Sequence, residues 1–355
     1  VGYIATAVSY EIKGNDDIHQ ETYESLRNSL PSRKYADLIS SADGYRNQMA
    51  SDANAFVQQI PFYRARPFYT IAIYALHKGG MEYLAATVLI SASMGAALSI
   101  ILYLWLSLYL NGISRFLLSI LVALSVGIPE IERISTPDGL SSFILVLSFF
   151  FLIEKKNLLG SYMLLLISLF ARTDNIILAL LLLLYLLVGR RKEYRLSPGR
   201  FALSAVLLFS IYLGLDYFTG SYGLKTLFAH TFVQKLTNPL GYNGSFTAYD
   251  YLLALASGVK SILFSPYVVS LSFFTLLGFV TFLLQPIDAR KNSLESHLIM
   301  LMMLSVLVHF LVFPLPDSRF FVTQYIIISI MFLRTTRGFS APNQVGAGLQ
   351  TENAP

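Results

Sequence analysis

The chain contains no cysteine, and only 13% of its 355 residues are charged. Without cysteine there is no disulfide framework and no thiolate metal site. A soluble domain carries about a quarter charged residues. The shortfall here, with 55% hydrophobic residues and a mean hydropathy of +0.58, places the chain in the membrane class. Also missing are an HExxH pair, a Walker phosphate loop, a GxSxG elbow and any Cys/His metal spacing, so none of those chemistries has its residues here. The net charge of +5 sits in short loops. It therefore speaks to orientation in a bilayer and not to nucleic-acid binding.

What charge there is collects in the gaps between apolar runs, and the gaps alternate in character. One set is basic punctuation: Lys155 and Lys156 beside Glu154, Arg190 to Lys192 with Arg195 and Arg200, Arg290 and Lys291, then Arg334 and Arg337. The other mixes carboxylates with arginines: Glu11, Asp16 and Asp17; Glu130, Glu132, Arg133 and Asp138; Arg172 and Asp174; Asp317 and Arg319. With the basic set and Arg115 in the cytoplasm, the crossings alternate without conflict and every short loop obeys the positive-inside rule. The mixed set then shares the outer face.

The expected organisation is all-α and polytopic. Residues 1–8 read as the end of a truncated first transmembrane helix, and 9–80 as an extracytoplasmic loop with surface helices. Within that loop Ile18, Tyr23, Leu26 and Leu30 recur at helical spacing until Pro31, a second helix is expected from Pro31 or Ser32 to Met49, and a short apolar one over Phe68–Leu76. Transmembrane helices are expected over 81–218 and 261–335, a second outer loop over 219–260, and a disordered cytoplasmic tail over 336–355. Apolar runs such as Leu158–Ala171 and Ile176–Val188 are shorter than the about 20 residues of a full crossing. Helices that short end inside the outer half of the bilayer or line a wet cavity there.

Each charged gap has a functional and a plain reading. Asp16 and Asp17, with Glu11 before them, suit a general base at a helix end; equally, Asp17 suits an N-cap. Arg64 and Arg66 in the run PFYRARPFY suit a lipid phosphate, which guanidinium pairs bidentately, or simple interfacial anchoring. Ser135 to Asp138 make a good helix start, while Glu130, Glu132 and Arg133 upstream add charge that a membrane protein does not need. Arg172 and Asp174 join two short spans with no Gly or Pro between; they suit an ion pair or an anionic ligand. Arg319 is a snorkelling anchor or a phosphate contact. His309 reads as a packed histidine bonded to a neighbour.

In order and sidedness these gaps resemble the GT-C superfamily of membrane glycosyltransferases, which includes protein O-mannosyltransferases and bacterial aminoarabinose and arabinofuranosyl transferases. The likeness runs over residues 9–335 and rests on the acidic pair Asp16/Asp17, the PFYRARPFY entry, STPDGLSSFILVLSFFFL, LLISLFARTDNIILALLLLLYLL and PDSRFFVTQYIIISI. It implies a bundle of about ten transmembrane helices with amphipathic helices on the outer face. It implies inverting transfer of a sugar from a polyprenyl-phosphate donor to an extracytoplasmic glycan, lipid or protein. Asp16 or Asp17 would be the carboxylate base, Arg64, Arg66, Arg172 and Arg319 the donor or phosphate contacts, and Glu11, Glu130, Glu132, Asp138 and Asp174 supporting groups. No cofactor is implied with certainty; divalent-cation use varies within the superfamily. The location implied is a bacterial inner membrane with the site facing the periplasm. Two rivals share the pattern: a transporter or flippase for a lipid-linked or anionic substrate, and a non-catalytic subunit that keeps the architecture.

Overall fold

The computed structural model describes residues 1–42, 44–188, 195–244, 246–264, 267–285 and 293–340. The expected basic loops at 190–192 and 290–291 and the tail beyond 340 lie outside the described residues. All regular elements among the described residues are helical, as expected.

Residues 1–78 form a polar cap. α1 (Gly2–Val8) is buried over most of its length. In α2 (Asn15–Ser29), Ile18, Thr22 and Leu26 fall four apart and are buried while the charged face is exposed. Its N-cap is Gly14, not Asp17; Asp16 and Asp17 occupy the first turn. The single helix expected up to Met49 is two, α3 (Ser32–Ile39) and α4 (Tyr45–Ser51). They part at Gly44, whose φ of 71° lies in the left-handed region that glycine tolerates. α5 (Ala53–Val57) starts on Asp52, whose carboxylate accepts the Asn54 and Ala55 N–H groups at 2.9 and 3.0 Å. α6 (Ile60–Arg64) and α7 (Pro67–Lys78) each carry proline in the first turn.

The remainder is an apolar bundle. In order come α8 (Tyr83–Leu106), α9 (Gly112–Val126), α10 (Ile128–Arg133), α11 (Asp138–Ile153), α12 (Leu158–Ala171), α13 (Ile176–Val188), α14 (Pro198–Thr219), α15 (Gly223–Phe228), α16 (Ala248–Phe264), α17 (Tyr267–Leu284), α18 (Leu294–Val312) and α19 (Val322–Ser340). Among the described residues α8, α14 and α18 are long and apolar enough to cross a membrane, with a fourth span if α16 and α17, bent by 88°, count as one. Shorter apolar helices of 10–17 residues fill the bundle between them. Two expected boundaries move. The span expected over Ile262–Leu284 divides between α16 and α17, so the second polar loop ends at 247 and not at 260. The last helix runs past the expected start of the tail at 336, to Ser340.

α8 joins cap to bundle. Its Tyr83, Ala86 and Ile90 pack into the cap core with α1, α2 and α7, while Leu98, Leu102, Trp105 and Leu106 enter the bundle core. α11 is the bundle's ruler: Asp138 opens it and Glu154 follows it, about 24 Å apart at 1.5 Å per residue. At the Glu154 end the carboxylate accepts Trp105 Nε1–H at 2.9 Å, the Tyr109 hydroxyl, and Arg334 Nη1 at 3.1 Å; Arg334 Nε also donates to Glu295 at 3.1 Å. The Asp138 end carries Arg172, Asp174 and Arg319 of the mixed set, so Arg334 of the basic set and these four charges of the mixed set stand at opposite ends of one helix.

The loop between α14 and α16 is clamped on the cap. Tyr222 donates to the Gln58 carbonyl at 3.0 Å, Gln59 Nε2 to the Leu236 carbonyl at 3.1 Å, and His230 stacks on Phe62 with centroids 4.9 Å apart. His230 Nδ1 accepts the Leu236 N–H at 3.0 Å, so the clamp uses the neutral ring. Burial, with Lys235 nearby, lowers the His230 pKa from 6.5 to about 4. A lowered histidine pKa means the detached loop binds the proton first, so the clamp weakens as pH falls through 6.5 toward 4. Limited proteolysis within 229–240 is expected to accelerate over that window, and His230→Gln to flatten the dependence. The close approach of α10 to α11 gives a second expectation. A Cβ on Gly139 would lie 2.8 Å from Ile131 Cγ2, so Gly139→Val should cost about 1–3 kcal/mol, read as a lower Tm in detergent.

Candidate active site

α12 stops without glycine or proline. Its C-cap is Arg172, in extended conformation at φ −152° and ψ 122°. The reason is electrostatic: a guanidinium only 8% exposed must meet its partners. Nη1 donates to Asp138 Oδ1, Nε to Asp174 Oδ1 at 3.0 Å, and Nη2 to Asp174 Oδ2. The Phe320 ring lies against the cation, 4.3 Å from Cζ. Asn175 then knits the break, its Nδ2 donating to the Ser168 carbonyl of α12 at 2.9 Å and to Ser141 Oγ of α11 at 2.8 Å.

Asp138 is the first residue of α11, where the helix dipole favours a carboxylate. It is 4% exposed, accepts Thr136 Oγ1–H at 2.8 Å and lies 3.5 Å from Arg319 Nε. Arg319 is held in turn by Asp317 at 2.8 Å. Burial pushes the Asp317 carboxyl up, partly opposed by Arg319. From α18, His309 Nε2 stands 3.1 Å from Asp174 Oδ2, while its Nδ1 is buried with no partner. The expectation of a packed histidine bonded to a neighbour holds, and the neighbour is a carboxylate of this cluster.

Asp138, Arg172, Asp174, His309, Arg319 and Phe320 line a cavity of about 150 Å³, closed by Tyr3 of α1, Arg66 before α7, and Leu224 and Leu227 of α15. A pocket of about 20 Å³, room for one water, is also lined by Arg172, Asp174, His309 and Arg319 and reaches Ser141, Ser305 and Gln324. The larger cavity's wall carries three guanidiniums, Arg66, Arg172 and Arg319, against two carboxylates, Asp138 and Asp174. Its surplus is positive, so it suits an anion with polar substituents. Among the described residues no three of His, Cys, Asp or Glu are grouped to hold a metal ion. Both wall carboxylates are also bonded to Arg172.

Of the residues singled out from sequence, Arg66, Arg172, Arg319, Asp138 and Asp174 meet at this cavity. The others do not. Asp16 and Asp17 are exposed at the start of α2 and form no part of the wall. Glu11 pairs with Lys78 at 2.5 Å on the surface. Glu130 accepts the Ser318 hydroxyl at 3.5 Å, and Glu132 lies over Gly95 of α8. Arg64 faces a different pocket. Tyr3 and Asp317 escaped the sequence reading as site residues; nothing about a tyrosine in an apolar segment marks it, whereas Asp317 two before Arg319 was a usable signal. No family model matches the chain, and neither does any curated protein or solved structure.

Removing Arg172 leaves the buried Asp138 with only Arg319, at 3.5 Å, to oppose its charge. Arg172→Met is expected to destabilise by about 3–5 kcal/mol, and adding Asp138→Leu to recover much of that, measured by thermal unfolding in detergent.

Proposed function

We propose that the chain is a membrane glycosyltransferase that moves a sugar from a polyprenyl-phosphate donor to an extracytoplasmic acceptor (a glycan, lipid or protein) at this cavity. The observation that carries the reading is the meeting of Arg66, Arg172 and Arg319, from three separate segments, around one small space with two carboxylates. At about 150 Å³ the cavity is smaller than the roughly 300–1,000 Å³ of drug-sized sites, which suits one sugar ring or headgroup. A second feature supports a lipid donor. An apolar groove of about 550 Å³ between α16, α17, α18 and α19 begins at Pro316 and Ser318, next to Arg319, and is lined by Leu271, Met303, Leu307 and Phe321. A polyprenyl chain in that groove would bring its phosphate to the arginines.

In the transfer, the bond between the anomeric carbon and the phosphate oxygen breaks, and the departing charge falls to Arg66 and Arg319. The acceptor oxygen bonds to the anomeric carbon from the opposite face, inverting it. The acceptor proton goes to a carboxylate. Asp174 is the better placed, its side chain 31% exposed against 5% for Asp138. Arg172 keeps it ionised and aimed, and a weak base suffices once the new C–O bond has acidified the acceptor proton. The role that the resemblance gives to Asp16 or Asp17 therefore passes to Asp174.

The short apolar helices fit this reading. Counted with the longer spans and α1 they approach the GT-C-like bundle of about ten crossings. Their charged ends at Asp138, Arg172 and Arg319 lie where a recessed wet cavity needs them. With the basic loops kept in the cytoplasm by the positive-inside rule, the cavity would face outward, which for a bacterial inner membrane is the periplasmic side.

The test is turnover of synthetic polyprenyl-phosphate sugars by the protein in nanodiscs, followed as release of polyprenyl phosphate. Arg66→Ala is expected to lower kcat/KM by about 10²–10³ with little change in Tm. Asp174→Asn should abolish transfer, and the Asp16→Asn/Asp17→Asn double variant should keep it. Loss in the double variant with retention in Asp174→Asn would return the base to the α2 pair. Movement of the intact lipid between leaflets, without cleavage of any donor, would establish the transporter reading instead.

A further inference from the structure

Arg64 and Arg66 are two residues apart in PFYRARPFY, yet they line different cavities. Arg64 ends α6 and Arg66 is the N-cap of α7, so the backbone turns between them. Tyr63 packs edge-on to Tyr3, with centroids 5.0 Å apart, and Tyr3 is wall of the first cavity. Arg64 looks instead into a pocket of about 430 Å³, bounded by the segment between α1 and α2, by α5 and α6, and by the clamped loop at Tyr222 and Leu240.

This second pocket is a built site. Arg64 Nη2 donates to Ser9 Oγ at 3.4 Å, and its Nε is buried without a partner. Lys13 Nζ donates to the Ser9 carbonyl at 3.3 Å. Asn15 Nδ2 donates to Asn54 Oδ1 at 2.9 Å, so this amide pair also faces the space. Gln58 anchors the far wall, its carbonyl accepting the Tyr222 hydroxyl at 3.0 Å and its Oε1 the Leu240 N–H at 3.4 Å. Two cations line the pocket and, among the described residues, no carboxylate does. Amides and hydroxyls interleaved with Ile12, Ile60 and Pro61 supply donors, acceptors and flat apolar contact together. Hydroxyl-rich rings present that mixture of surfaces, and with no carboxylate in the wall beside Arg64 and Lys13 the pocket suits an anionic group among them.

We infer that this pocket binds an acidic saccharide, a sugar carrying a carboxylate or a phosphate, at a site separate from the arginine–aspartate cavity. Calling that saccharide the acceptor rests on the proposed transfer; its binding does not. The anionic group pairs with Arg64 and Lys13, and the ring hydroxyls meet Asn15, Asn54 and Gln58. Arg64 is on this account a ligand contact of the second pocket and not a contact of the donor phosphate.

Calorimetry on the full chain in nanodiscs, with no donor present, reads this site alone. The probes are a uronic-acid disaccharide, a hexose 6-phosphate, the neutral disaccharide of the same linkage, and inorganic phosphate. At least one acidic saccharide is expected to bind at least tenfold more tightly than both the neutral sugar and inorganic phosphate. Arg64→Gln should weaken it at least tenfold, and so should Lys13→Gln, an exposed position that folding tolerates. Equal binding of the neutral sugar, equal binding of phosphate alone, unchanged affinity in both variants, or no binding of either acid would each overturn the inference. Acid-saccharide binding in a protein that cleaves no polyprenyl donor would leave this site standing and remove the transferase reading. Donor cleavage without acid-saccharide binding would do the reverse.

Discussion

A guanidinium 8% exposed, gripped by two carboxylates, dictates the architecture around it. Buried charge is tolerated only when paired and hydrogen-bonded. To meet that condition Arg172 must leave the helical conformation, which ends α12. Asp138 must stand at the first residue of α11 and point inward, and Asp174 must occupy a short 3₁₀ turn before α13 restarts. Phe320 and Arg319 reach the same place only because the segment before α19 folds back over the bundle end. One buried cation therefore sets where four helices begin or stop.

The bundle's two ends are electrostatically unlike, and α11 keeps them apart. At one end Glu154, Glu295 and Arg334 close on Tyr109 and Trp105. At the other the arginines outnumber the carboxylates of the cavity wall, and the wall stays open to a ligand. The polar cap completes that second end. It is attached through α8, which belongs to both cores, and through Tyr3 and Arg66, which carry the cap's chemistry into the bundle's cavity. A small polar space beside a long apolar groove is the form a lipid-linked headgroup would need, and a separate cationic pocket in the cap is the form a second, water-soluble reactant would need.

Much of the helix plan was legible. The runs Leu158–Ala171 and Ile176–Val188 have the bounds that hydrophobicity alone assigns, because Arg172 to Asn175 interrupt an otherwise unbroken apolar stretch. The periodicity of Ile18, Tyr23 and Leu26 and the stop at Pro31 located α2. Elsewhere the pattern misled. The apolar run Ile262–Leu284 crosses Pro266 without a charge, so one span was expected where α16 and α17 stand at 88°. Gly44 was the one mark of the break between α3 and α4, and a single glycine is weak evidence against helical spacing on both sides.

The amino-acid sequence alone determined that the chain is helical and membrane-like and that its charges fall into two sets. Those properties follow from hydrophobic period, run length and loop charge, which are local. Which charges meet was decided only by tertiary structure. Asp138, Asp174, His309 and Arg319 are drawn to Arg172 because a buried cation needs partners from whatever segments pack beside it. Asp16 and Asp17, as acidic and as well placed in the linear order, stay in solvent because α2 turns its apolar face inward and its first turn outward. Arg64 and Arg66 part company for the same kind of reason: one backbone turn between two short helices sends neighbouring guanidiniums into different cavities.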